Sequence, residues 1–248
     1  MAQTQAPFDN RVATFNVFNP SDQLEKPQII AAEVAKYRPQ VIAFQEICVS
    51  QTNRVREILE EDYGLTYHVQ HGSVLRNWTR CGGTPWNPGA FGNAILSAAP
   101  ISNAENHIYR AGGSENRGYV AVDTTVAGKP VRVFATHLAQ GPQGSVRRQQ
   151  VSELLENVLA YNDTIVLGDF NSEPTTEVAP MFTWFRDADP ECTATQNRPP
   201  CQPTADARPY RKKFDYILLR NGSFTAPGVG VHDNYSDHDL VHADLTAS

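Results

Sequence analysis

The chain has 248 residues and a formal net charge of −6, with 40% hydrophobic and 19% charged residues. That balance excludes a disordered or fibrous protein and supplies a substantial core, which we expect to be one domain spanning 1–248. The negative charge repels polyanions overall, so any nucleic-acid contact must rest on local cations and metal, and without a run of about 18 apolar residues no membrane-spanning helix is expected.

The polar opening Met1 to Asn10 lacks the apolar run of a signal peptide; it suits a mature N-terminus behind an initiator Met, or an unsecreted protein equally well. Val12 to Val17 is predicted as a strand. Ile29, Ile30, Val34 and Tyr37 then recur at helical spacing over Pro27 to Tyr37, and Pro39 ends the helix. Val41 to Phe44 is apolar on successive residues, as in a strand covered on both faces, and runs out at Gln45 and Glu46 before a second helix over roughly 51–62. Gly72, Gly82, Gly83, Pro85, Pro88 and Gly89 predict a long loop over 72–90, with Trp78 and Trp86 packed against it around Cys81.

Strands are predicted at 93–97, 118–122 and 131–136, the last two joined by a hairpin at Gly128 and Lys129. Val151, Leu154, Leu155, Val158 and Leu159 form a helical stripe, followed by a buried strand, Thr164 to Gly168, ending at Asp169. After a Pro-rich stretch over 187–210, strands are expected near 214–219, 224–231 and 239–245. Helices and buried strands alternating in both halves, with hairpins as well as crossovers, predict an α/β fold of two stacked mixed sheets flanked by helices.

Four cysteines, none in CxxC spacing, favour disulfides over zinc or thiol redox chemistry. Three pairings are possible; we expect Cys192 with Cys201 and Cys48 with Cys81, hence an oxidising compartment and a secreted protein. Arg147 with Arg148, and Arg208, Arg211, Lys212 and Lys213, form basic clusters that read as solvated faces more readily than as binding sites.

Polar residues gather where strands end: Asn16, Glu46, His137, Asp169 with Asn171, Asp215, and Asp237 with His238. Singly, most read as turn formers or satisfied structural groups. Strand alternation would turn Asp169 and Asn171 to one side with Phe170 opposed. Asp215 lies inside an apolar strand, where a carboxylate needs a partner, and His238 can supply it.

Their order along the chain, from Thr14-Phe15-Asn16 through Gln45-Glu46, Thr136-His137-Leu138 and Gly168-Asp169-Phe170-Asn171 to Ser236-Asp237-His238, resembles the endonuclease/exonuclease/phosphatase superfamily. Gly92 to Ser97 and Arg147 to Gln150 resemble it too. The resemblance implies a four-layer α/β/β/α sandwich. It makes Glu46 the main ligand of Mg²⁺ or Mn²⁺, with Ca²⁺ as an alternative, and puts Asn16 and Asp237 beside it. It assigns Asp169 and Asn171 to the attacking water, Asp215 to orienting His238, His137 to the phosphate oxygens, and Arg117 to phosphate binding as in the DNase branch. Phe18 replaces the acidic residue usual in abasic-site enzymes, which speaks against that subclass, and no carboxylate is evident to support His137.

The expected function is a monomeric phosphodiesterase acting on DNA, and on RNA as well, with phosphatase side activity, in which Asp169 and His238 divide the acid and base work. A phospholipid phosphodiesterase of the sphingomyelinase kind is the alternative, resting on Thr136 to Gln140 and the arginine-led helix, with an inositol-type phosphatase beside it. A non-catalytic binding protein of the same fold has no need to keep both histidines and the acidic cluster.

Overall fold

The structure is a computed structural model, and it describes residues 6–18, 26–189, 191, 201–207 and 209–248. In chain order it runs β1 (Phe8–Asn16), α1 (Lys26–Tyr37), β2 (Pro39–Cys48), α2 (Val49–Tyr63), β3 (His68–Arg76), α3 (Trp78–Cys81), β4 (Gly83–Thr84), β5 (Asn87–Pro88), β6 (Ala90–Ser97) and β7 (Ser102–Ile108). It continues with β8 (Gly118–Val126), β9 (Lys129–His137), α4 (Gly144–Val158), β10 (Thr164–Asp169), β11 (Phe185–Asp187), β12 (Asp215–Arg220), β13 (Phe224–Thr225), β14 (Val229–His232), β15 (Leu240–Asp244) and β16 (Thr246–Ala247).

Two six-stranded sheets, ordered β14-β15-β1-β2-β6-β3 and β11-β12-β10-β9-β8-β7, pack face to face. Each holds one parallel pair, β1 with β2 and β9 with β10, joined through α1 and α4 respectively; the neighbouring pairs are antiparallel. The layers follow from residue alternation. Val12, Val41 and Ala43 of the first sheet face Val133, Ala135, Ile165, Leu167 and Ile217 of the second in one buried cluster. The residues between them point outward: Ala13, Phe15, Ile42 and Phe44 onto Ile30 and Val34 of α1 and Val55 and Leu59 of α2, and Phe134, Val166 and Tyr216 onto Val151, Leu154 and Val158 of α4. This is the four-layer α/β/β/α sandwich expected.

Three local expectations are corrected. The span 72–90 is not one loop: β3 runs to Arg76, and α3 and the β4-β5 pair follow. Gly72 lies inside β3 because a Cβ there would meet Val120 Cβ of the second sheet at 2.6 Å, so the glycine marks a close approach and not a turn. Trp78 and Trp86 are not packed against this segment; they are 50% and 86% exposed. Near the C-terminus, the strand expected over 224–231 is two short ones, β13 and β14, separated by Ala226, Pro227 and Gly228.

Cys48 and Cys81 form the expected disulfide, with Cα atoms 5.4 Å apart. Closing a loop across a separation of 33 residues stabilises the fold by about 3 to 4 kcal/mol. Cys192 and Arg208 lie outside the described residues. No described helix is long and apolar enough to cross a membrane.

Candidate functional site

The inward alternation that builds the core continues past it to one end of the sandwich. In β1 it runs Val12, Thr14, Asn16; in β9, Val133, Ala135, His137; in β10, Ile165, Leu167, Asp169; and β12, running the other way, begins with inward Asp215. Register aligns them: Asp169 pairs with His137 on one side and Asp215 on the other, and Asn16 pairs with Gln45. Apolar residues thus fill the gap between the sheets, and polar ones fill its mouth.

Asp169, almost fully buried, is the hub. Its Oδ2 accepts from Asn16 Nδ2 at 3.1 Å and Asn171 Nδ2 at 3.2 Å, and lies 3.3 Å from His137 Nε2 and 3.6 Å from His238 Nε2. Burial pushes this carboxyl up, but the His238 charge and the contacts from His137 and Asn171 outweigh it and hold it well below the usual carboxylate range. Asp169 is also the carboxylate nearest His137, for which no supporting group was legible.

Asn171 reaches the site by a route other than alternation. β10 stops at Asp169, and Asn171 sits at φ 48°, its N–H donating to Asp169 Oδ1 at 2.8 Å. Asn tolerates that left-handed turn better than most residues. Phe170 does point away, into the cluster beneath α4.

His238 Nδ1 is 2.9 Å from Asp215 Oδ2, which also accepts from Thr204 Oγ1 at 2.7 Å. The loop carrying Asp237 and His238 is tied to β1 by Ser236 Oγ, which donates to the Asn16 carbonyl at 2.8 Å. Burial lowers the His238 imidazole's affinity for a proton, but Asp215 and Asp169 on either side overcome that and push it up to about 10. Asp169, Asp215 and His238 also bring ligand-type atoms within 4.8 Å of one another. In that grouping Asp215 Oδ2 is already engaged by His238 and Thr204.

Glu46 sits at a break in the β2-β6 ladder with φ 58°, a strained conformation that turns its carboxylate out of the strand. Asn16 Nδ2 contacts it at 3.5 Å. Burial pushes the Asp237 carboxyl up, and Glu46 and Asp169 add to this against the opposing charge of His238. Carboxylates crowded in this way make an oxygen donor set that suits a hard divalent cation, and the Asn16 amide meets them through Nδ2 while its Oδ1 accepts from the Phe18 N–H at 3.0 Å.

A cavity of about 440 Å³ is lined by Glu46, Asp169, Asn171, Asp237 and His238 together with Arg117, Arg80 and Glu115. Arg117 is 3% exposed, its Nη1 paired with Glu115 and its Nε donating to the Leu138 carbonyl at 3.3 Å. The structure therefore gathers every predicted site residue at one end of the sandwich. Sequence reasoning missed Thr204, Arg80, Glu115 and Lys26, whose ammonium, close enough to Glu46 and Asp237 to feel both charges, donates to the Val17 and Phe18 carbonyls. Only Arg80, beside a paired cysteine, carried any signal.

The basic clusters are solvated only in part: Arg148 and Arg211 are exposed, whereas Arg147 and Lys213 are buried. Arg147 is buried against the Ala139 and Gly141 carbonyls and Glu177, and Lys213 is fully buried beside Asp187; Arg211 pairs with Asp206 and Asp239, and Lys212 with Glu173.

A sequence model of the Endonuclease/Exonuclease/phosphatase family matches residues 13–238. Uncharacterized protein YbhP of Escherichia coli is 29% identical over 170 residues, which is 63% of this chain and 63% of that protein. Among solved structures, an endonuclease/exonuclease/phosphatase from Beutenbergia cavernae superposes with a TM-score of 0.79 at 22% identity, over 96% of this chain and 71% of the other. D. rerio TDP2 complexed with a single-strand DNA product gives 0.70 at 19% identity, over 96% and 98%.

Proposed function

This chain belongs to the endonuclease/exonuclease/phosphatase family of divalent-metal-dependent phosphoric ester hydrolases, and from that premise we propose that it is a secreted phosphodiesterase that cuts nucleic acid, DNA first, by in-line attack of water. One observation carries the reading. Asp169 stands within 3.6 Å of two imidazoles, one of them backed by Asp215, in a cavity that also holds a buried arginine.

Glu46, Asp237 and Asn16 are the residues that would hold the cation, Mg²⁺ or Mn²⁺. When bound, it supplies Lewis-acid stabilisation of the charge growing on the phosphoryl oxygens. Asp169 orients the attacking water and takes its proton, with Asn171 keeping that carboxylate in place. His238, its Nδ1 held by Asp215, presents Nε2 to the leaving oxygen as proton donor. His137 and Arg117 hold the phosphoryl oxygens, the guanidinium fork suiting two parallel hydrogen bonds. The likeness in fold to D. rerio TDP2, solved with a single-strand DNA product, supports a nucleic acid as substrate.

The exposure of Trp78 and Trp86 favours a second reading, a phospholipid phosphodiesterase that rests an aromatic surface on a membrane. Plasmid DNA, sphingomyelin liposomes and an inositol phosphate, each with Mg²⁺ and with EDTA, separate the two. Mg²⁺-dependent nicking of the plasmid with inert liposomes is expected; turnover of liposomes alone would replace the nuclease reading with the lipid one. The disulfide supports secretion.

A further inference from the structure

Arg80 has no part in the chemistry above, yet it lines the same cavity. Its Nη1 donates to Glu115 Oε1 at 2.8 Å, while Arg117 holds the other oxygen of that carboxylate. Two guanidiniums share one carboxylate, which leaves a net positive charge at this side of the mouth. The two differ in access: Arg117 is buried, whereas the Arg80 side chain is 23% exposed. Its guanidinium lies over the Phe91 ring, 4.4 Å from the centroid, and so keeps its plane while its outer N–H groups can exchange Glu115 for another anion.

What keeps Arg80 there is not its own helix. α3 has four residues, too few to persist alone, capped by Asn77 Oδ1, which accepts from the Arg80 N–H at 3.0 Å. The next residue, Cys81, is bonded to Cys48, two positions beyond Glu46. The backbone of Gly89 lies against Cys81 so closely that a Cβ there would come within 2.2 Å of the Cys81 carbonyl oxygen. The disulfide thus fastens the segment bearing Arg80 to the strand bearing Glu46.

We infer that Arg80, held at the cavity mouth by the Cys48–Cys81 disulfide, is a second anion-binding residue that takes the phosphate adjoining the scissile one in a polyanionic chain. This rests on the nucleic-acid reading above. Arg117 serves the scissile phosphate, and Glu115 keeps both arginines in position until substrate displaces it from Arg80.

The test is binding by the whole chain in EDTA, so that nothing is cleaved, with a fluorescein-labelled thymidine trinucleotide followed by anisotropy and dTMP by calorimetry. Losing one charge-assisted contact should weaken trinucleotide binding about tenfold in Arg80→Ala, with at most about a twofold change for dTMP. Arg80→Lys should recover part of the loss. Cys48→Ala/Cys81→Ala, checked for folding by circular dichroism, should lose trinucleotide affinity to a similar extent, and adding Arg80→Ala to it should cost little more. Equal trinucleotide affinity in wild type and Arg80→Ala overturns the role of Arg80 and leaves the nuclease reading standing. Normal binding by the folded double-cysteine variant overturns the role of the disulfide. A wild type that neither binds the trinucleotide in EDTA nor cuts it once Mg²⁺ is supplied in excess sinks the nuclease reading, and the inference with it.

Discussion

Asp215 is fully buried, and one of its carboxylate oxygens is shared between His238 and Thr204. Neither Asp215 nor His238 has a use without the other: the carboxylate would be a buried charge without its cation, and the imidazole would be free to rotate. Groups that work as a unit lose activity together. Asp215→Asn, His238→Ala and the double variant should therefore fall to a similar rate, about 10² to 10⁴-fold below wild type in kcat on bis(p-nitrophenyl) phosphate at saturating Mg²⁺. Multiplicative loss in the double variant would show that the two act separately. This pair was legible in the sequence because a carboxylate inside an apolar strand demands a partner. Thr204 was not, since it lies in a Pro-rich segment with no periodicity to say which way a side chain faces; Glu115 sits in an irregular stretch, and Arg80 in a helix of four residues, too short to show a period.

At the scale of elements, β14 and β15 pair antiparallel and bring two imidazoles together on one face. His232 Nε2 lies 2.9 Å from His242 Nδ1, and Tyr37 of α1 stacks on both rings. Gly230 makes room for them: a Cβ there would sit 2.4 Å from His242 Cε1. Burial, then Arg11 and His232, push His242 down to about 4, and burial with Lys36 and Arg11 lowers His232, while Asp244 opposes the shift at His242. Above pH 6.5 both are neutral whether folded or unfolded, and this contact is unaffected. As pH falls from 6.5 toward 4 the unfolded chain takes up protons that the folded protein refuses, so stability is lost across that window, by about 1 to 2 kcal/mol once partial exposure is allowed for. Urea melts at pH 7.5 and 4.5 should show a smaller drop for His242→Gln than for wild type; an equal drop would clear these histidines of the effect. The sequence reads β13 and β14 as one strand over 224–231, because apolar residues stand on both sides of Pro227 and Gly228, and keeps β15 apart in the strand expected at 239–245.

The molecule as a whole divides its site between the sheets. Asn16 and Glu46 come from the first, His137, Asp169 and Asp215 from the second, and Asp237 and His238 from the loop entering β15. The layering was legible because alternation in β1, β2, β9 and β10 is regular, and that regularity also carries the polar residues to one mouth. A cation held by Glu46 and Asp237 binds only when the first sheet and that loop are in place. At about 100 times its dissociation constant, Mg²⁺ should raise the melting temperature by about 5 to 10 °C. Calorimetry should find the rise absent in Glu46→Ala, and an undiminished rise would remove Glu46 from the ligand set.

One jaw of the cleft belongs to each sheet, so the gap is gauged by what is stacked behind it, as a spacer sets a calliper. Ala43 and Ala135 are inward residues one alternation step behind Gln45 and His137, and both are fully buried. Bulk added at either position wedges the jaws apart without altering any group that meets the substrate. The girth of phosphoester the enzyme admits is thereby written partly in its core, where drift in methyl groups can retune the aperture while the chemistry stays the same.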